Sequence, residues 1–172
     1  MSRRLFALAC ACLIGCFALP GCSQKEPEPP VVTGFSCTMQ VQYGDMAVEG
    51  RLTRQSAGLL TMELTSPETV KDLTLEWDGE EVSVKLYGLS FGVDPSTFPS
   101  TALGSSLLSA LDTAMRLPAG GQLTAEGLQT VGGELGGEFT LLSDPDTGAL
   151  LSLSIPSAGI QASFSDFQLL TA

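Results

Sequence analysis

From Phe35 onward apolar and polar residues alternate one for one, with Phe35, Cys37, Met39, Val41 and Tyr43 set against Ser36, Thr38, Gln40 and Gln42. Side chains on an extended strand point to opposite faces in turn, so a period of two commits this segment to a strand with one apolar and one wetted face. Gly44-Asp45 makes a tight turn, and the alternation returns from Met46 to Arg54, where Met46, Val48 and Leu52 oppose Ala47, Glu49, Arg51 and Thr53. Leu60, Met62 and Leu64 carry it on through Leu59 to Thr65. Connections this short allow only antiparallel pairing, so a meander is expected.

Ser66-Pro67-Glu68 reads as an N-cap, a proline at the first helical position and an acid in the first turn, giving one helical turn to about Lys71. Leu73, Leu75 and Trp77 then alternate with Thr74 and Glu76. Asp78-Gly79 is a hairpin signal, and Val82, Val84 and Leu86 form the returning strand. Gly88 to Ser100 is rich in turn residues yet carries Leu89, Phe91, Val93 and Phe98, an apolar loop that must cover something. After Pro99 the period changes to four. Leu103, Leu107, Leu111 and Met115 recur on one face with Leu108 beside them, while Ser105, Ser106, Ser109, Asp112 and Arg116 are expected to face away. A helix over 102–116 follows, capped by Ser100 or Thr101 and stopped near Leu117-Pro118. Its apolar stripe must lie on a sheet or over a cavity, either as plain packing or as a movable lid.

Strands resume with a weak candidate at Gln122 to Leu128, then Glu134 to Leu142 with Leu135, Phe139 and Leu141 on one face. Asp144-Pro145-Asp146-Thr147-Gly148 turns the chain, and Leu151, Leu153 and Ile155, then Ile160, Ala162 and Phe164, alternate with polar residues. The expected fold is a β-rich α+β domain: a single strongly curved antiparallel sheet, or half-barrel, of about nine strands with one long covering helix.

The N-terminal segment is of another kind. Arg3 and Arg4 precede an apolar run from Leu5 to Leu19 that ends at Pro20-Gly21. Fifteen positions fall short of the about 20 that a membrane-spanning helix needs, so residues 1–21 read as a signal peptide. Leu19-Pro20-Gly21-Cys22 resembles the lipobox of bacterial lipoproteins, which implies cleavage before Cys22 and lipidation of its sulfur. Residues 22–33 then form the lipidated cysteine and a tether. Lys25, Glu26, Pro27, Glu28, Pro29 and Pro30 favour extended geometry, and Ser23 to Thr33 at about 3.1 Å per residue can hold a domain up to ~34 Å from the bilayer. Residues 34–172 are the domain. The expected location is extracytoplasmic, with the membrane as partner through Cys22.

Charge and composition exclude whole classes of chemistry. The chain has 8 Lys and Arg against 19 Asp and Glu; without Arg3 and Arg4 the mature form has 6 against 19, a net charge of −13. No basic face exists for nucleic acid, and attachment to anionic lipid has to come from acyl chains. There is no His and no Asn, which removes the commonest general base and metal ligand. Once the leader is set aside Cys37 alone remains in the domain, on an apolar strand face where a buried structural thiol is expected. Gly88-Leu89-Ser90-Phe91-Gly92 matches the G-x-S-x-G nucleophile elbow without the histidine or the immediate helix that the motif requires. In the 144–148 run Gly148 occupies the fifth calcium-loop position and Ile155 the twelfth, so a hairpin turn is the reading. No enzyme, cofactor or metal site is expected.

The inward-facing residues make a distributed signal. Met39, Met46, Met62 and Met115 accompany Leu64, Leu75, Trp77, Val84, Leu86, Phe139 and Phe164, with Leu107 and Leu111 from the helix. Methionine adapts to irregular apolar guests, so these residues are candidates to line a cavity for a lipid or other apolar molecule. The same residues would also fill a packed core, and both readings stand.

The order of elements, from the long antiparallel strands through the Ser66-Pro67-Glu68 corner, Leu73 to Gly79, Val82 to Gly88, the apolar loop and helix and the late 144–148 hairpin, resembles the outer-membrane lipoprotein carrier and receptor (LolA/LolB-like) superfamily. The resemblance implies a half-barrel closed by helices, with acyl chains held in the apolar concavity. Two departures are visible. No helix fits ahead of the first strand, and Arg51 and Arg54 fall on the polar register or at a strand end, so no basic residue matches the ligand-handling positions. The expectation is a non-enzymatic, membrane-anchored lipoprotein that binds an apolar ligand; the alternative is an envelope interaction module with a filled core and a protein partner.

Overall fold

Among the described residues eleven strands, two more than expected, form one open antiparallel sheet with one long helix against it. The computed structural model describes residues 34–78, 81–94, 99–117, 121–134 and 137–170. The expected signal peptide, the tether with Cys22, and Leu135 and Phe98 lie outside the described residues. The strands are β1 (Phe35–Tyr43), β2 (Met46–Ser56), β3 (Leu59–Ser66), β4 (Thr74–Trp77), β5 (Val82–Leu86), β6 (Leu89–Val93), β7 (Gln122–Leu123), β8 (Leu128–Glu134), β9 (Gly137–Ser143), β10 (Leu150–Ile155) and β11 (Ile160–Leu169). Helix α1 (Pro99–Arg116) joins β6 to β7.

The spatial order is β6-β5-β4-β3-β2-β1-β11-β10-β9-β8-β7. The first and last strands therefore pair at the centre, Met39 opposite Phe164 and Val41 opposite Ala162, and the two edges are the strands that flank the helix. At about 1.5 Å per residue, the 18-residue helix runs ~27 Å, and it packs against β3 and β4 on one side and β8 on the other.

The extra strands come from two places where local signals misled. The supposed apolar loop after Gly88 begins as β6, paired residue for residue with β5; its glycines suggest a loop, but Tyr87-Gly88, both with positive φ, form a two-residue hairpin turn. The weak candidate at 122–128 resolves into the two-residue β7 and the start of β8. At the Ser66-Pro67 corner the helical turn is a 3-10 turn, Glu68–Val70, with Pro67 at the cap position and no side-chain cap.

Candidate functional site

The apolar face of the sheet, the one that α1 covers, was built by the alternation. Phe35, Cys37, Met39 and Val41 of β1 are buried, as are Val48 and Leu52 of β2, Met62 and Leu64 of β3, Leu75 and Trp77 of β4, Phe139 and Leu141 of β9 and Phe164 of β11. Leu107 and Leu111 of α1 descend onto them, also buried. The structure thus brings together nine of the twelve candidate lining residues in one cluster, with Val84 and Met115 half-buried at its margin. Leu86 lies further out, half-buried on the β5–β6 hairpin. Met46, counted as inward-facing, is exposed beside the Gly44-Asp45 turn, where the strand end runs past its cover.

On β11 the alternation breaks once, and for a reason. Asp166 takes a positive φ and the register with β1 shifts between Ser36 and Thr38, a bulge that re-aims the following residue. Phe167 thereby stacks on Phe35, ring centroids 5.2 Å apart, and Thr38 donates to Asp166 Oδ2 at 3.0 Å.

Arg54 and Asp112 correct the sequence reading. Arg54 is expected on the polar register or at a strand end and Asp112 on the outer face of the helix, yet Arg54 is fully buried, and its Nη2 donates to Asp112 Oδ1 at 2.5 Å. Arg54 shares its face with Leu52 and Val48, opposite Phe35, so strict alternation from Leu52 could have placed it inward. Asp112 follows Leu111 and faces the β2–β3 turn, where the backbone N–H of Gly58 donates to its other oxygen at 3.0 Å. A guanidinium out of water needs such a carboxylate partner. Trp77 Nε1 donates to Ser105 Oγ at 3.2 Å, so Ser105 also faces the sheet. The indole lies so close under the helix that a Cβ on Gly104 would come within 2.0 Å of it. Among the described residues the helix is therefore fastened by an apolar stripe, the Arg54–Asp112 pair, the Gly58 bond to Asp112 and the indole hydrogen bond.

The helix packs closely on the sheet. The cleft described between α1 and the sheet, lined by Ser106, Ser109, Ala110, Thr113, Gly137, Phe139 and Ile155, has room for about 10 Å³, the space of a single water.

The chemically tempting residues are placed as follows. Cys37 is buried, and loss of hydration pushes its thiol up to about 12 from 9.0, which keeps it neutral. Ser90 lies within edge strand β6 rather than at an elbow. It faces Lys85 across the ladder, whose ammonium is 2.6 Å from Glu76 Oε2. The Asp144 carboxylate is engaged by its own turn, accepting from the backbone N–H of Thr147, the Thr147 hydroxyl and the backbone N–H of Asp146. These bonds hold its carboxyl below its ordinary range.

No protein-family model and no curated protein matches the chain. Among solved structures it is similar to an uncharacterized conserved protein from Thermus thermophilus (16% identity, TM-score 0.48, covering 86% of this chain and 85% of that one). It is also similar to a LolA superfamily protein from Nitrosomonas europaea (8% identity, TM-score 0.37, 86% and 90% covered) and a DUF1329 family protein from Desulfovibrio piger (9% identity, TM-score 0.44, 80% and 85% covered). The functional reading rests on the chain's own geometry.

Proposed function

We propose that this chain is a non-enzymatic extracytoplasmic lipoprotein, anchored through lipidated Cys22, that binds a lipid or another apolar molecule on the concave face of its sheet. The observation that carries the reading is the long helix that joins the two edge strands of an open sheet and lies over a continuous apolar cluster. A guest enters by replacing the helix rather than by filling a void.

The close packing of helix on sheet favours a second reading, an envelope interaction module whose apolar face is core and whose partner is a protein. Native mass spectrometry separates the two. The protein is purified from a membrane-containing host, its bound material is extracted with organic solvent, and Trp77, the sole tryptophan, reports helix movement by fluorescence. A co-purifying adduct of lipid mass, with a change in Trp77 emission on delipidation, supports the carrier reading. A clean mass that takes up neither lipids nor apolar dyes supports the module. Anchoring is tested separately: Cys22→Ser should release the protein from the membrane fraction.

A further inference from the structure

The face of the sheet opposite the helix carries a second feature, an open groove of about 510 Å³, within the range of small-ligand sites. It crosses the four central strands, and the ladder aligns its side chains in two rows. One row reads Glu49, Gln40, Ser163, Ser152 and the other Ala47, Gln42, Gln161, Ser154, from β2 through β1 and β11 to β10. Neighbouring strands lie about 4.8 Å apart, so each row presents a side chain at that interval over ~14 Å.

The chemistry of the rows is narrow. Glutamine amides and serine hydroxyls both donate and accept. Gln42 uses its amide nitrogen on the Gly44 carbonyl at 2.6 Å, whereas Gln40, Gln161, Ser152, Ser154 and Ser163 make no side-chain hydrogen bond to another described residue. Just outside the groove the pattern differs, since Thr38 and Ser165 both close on Asp166. The lining holds one acid, Glu49, and no base, in a chain of net charge −11; phosphate and other anionic ligands are disfavoured. It holds no aromatic side chain, and its polar groups lie on the sheet face rather than at an edge where a peptide backbone could pair.

What matches is a neutral chain of hydroxyl groups, each donating and accepting, with a repeat near the strand spacing. We propose that this groove binds a neutral oligosaccharide strand laid across β2, β1, β11 and β10. The site is independent of the apolar-ligand reading, because it uses the other face of the sheet.

The test is a titration of the isotopically labelled full chain, kept in a sugar-free detergent, with cellotetraose and with tetra-N-acetylchitotetraose, followed by backbone amide NMR. The expected result is saturable shifts confined to 40–42, 47–49, 152–154 and 161–163. Gln40→Ala combined with Gln161→Ala should weaken binding about tenfold or more, and Ser163→Tyr, which fills the groove, should abolish it, both with unchanged melting. Absence of saturable shifts with either sugar up to about 10 mM, shifts mapping elsewhere, or wild-type affinity in the double variant overturns the proposal. Saturation of the same residues by a lysine-rich peptide instead of the sugars, lost on Glu49→Gln, overturns it in favour of a cationic peptide.

Discussion

Strands β3 and β4 and the hairpin β5–β6 carry the same alternation, yet they meet opposite fates. In the first pair the inward residues Met62, Leu64, Leu75 and Trp77 are buried beneath α1. In the second, Val84 faces Phe91 and Leu86 faces Leu89 on the same side of the sheet, but Leu89 is 61% and Phe91 53% exposed, and Tyr87 at the tip 82%. The alternation states which face a residue takes; only the covering element decides whether that face is dry. The helix packs on β3, β4 and β8, and the outer part of the hairpin stays wet. Apolar burial worth about 1.5–3 kcal/mol per large side chain is thus realised in one region and forgone in the other.

The contrast breaks most sharply under a buried charge. Leu107→Asp puts a carboxylate between helix and sheet and should cost about 4 kcal/mol or more, enough to unfold much of the population. Phe91→Asp, the same chemistry on the wet hairpin, should stay within about 1 kcal/mol. Urea unfolding followed by Trp77 fluorescence measures both. Equal losses would mean that the hairpin is also covered in solution. If Leu107→Asp remains folded, with apolar-ligand binding unchanged, the helix does not line the site.

Ion pairs sharpen the same comparison at the next magnitude. Removing one partner of the buried pair, as in Arg54→Met, strands the Asp112 carboxylate and should cost about 3–5 kcal/mol. Lys85 and Glu76 pair at the surface, with about half and two-fifths of their side chains exposed; Glu76→Gln should change stability by about 0–1 kcal/mol. A double variant, Arg54→Met with Asp112→Leu, should regain most of the loss while loosening the helix, seen as a shift in Trp77 emission.

Two glycines repeat the contrast at smaller scale. Gly104→Ala drives a Cβ into Trp77 and should destabilise by about 1–3 kcal/mol through overpacking. Gly92→Ala, in β6 with nothing within 4 Å, should be neutral or stabilising by about 0.5 kcal/mol, because Ala loses less chain entropy in a strand. The readout is the melting temperature.

These particulars show how far the sequence was legible. Faces were readable where apolar residues alternate without interruption, as in β1, β3 and β4, because the period of two is dictated by backbone geometry. Strand β6 escaped because Gly88 and Gly92 look like loop residues, although one closes a hairpin turn and the other sits harmlessly in a wet edge. Arg54 escaped because its charge suggests solvent, and its burial depends on Asp112, 58 residues away, a pairing that no local pattern carries. The groove escaped because Gln40, Gln161 and Ser163 meet only through the pairing of the first strand with the last.

The last effect concerns pH, and here the two sorts of region act at opposite ends of the scale. Cys37 lies in the dry region with its thiol pushed up to about 12, against 9.0 when unfolded. A group raised on folding contributes stability that is complete below the unfolded value and lost between the two. Through Cys37 the fold should therefore weaken above about pH 9, by at most about 1.4 kcal/mol per pH unit for this one proton, and Cys37→Ala should flatten that alkaline slope. Asp144 lies on an exposed turn with its carboxyl lowered, chiefly by the backbone N–H of Thr147. Its contribution is present above the ordinary carboxylate range and fades as pH falls through the depressed value, and solvent screening keeps it small. Asp144→Ala should alter only the acid limb of a stability–pH curve, and Cys37→Ala only the alkaline limb. A thiol reagent that labels native Cys37 at pH 8 as fast as the unfolded chain would show that the covered face opens to water, and would remove the distinction between the two regions.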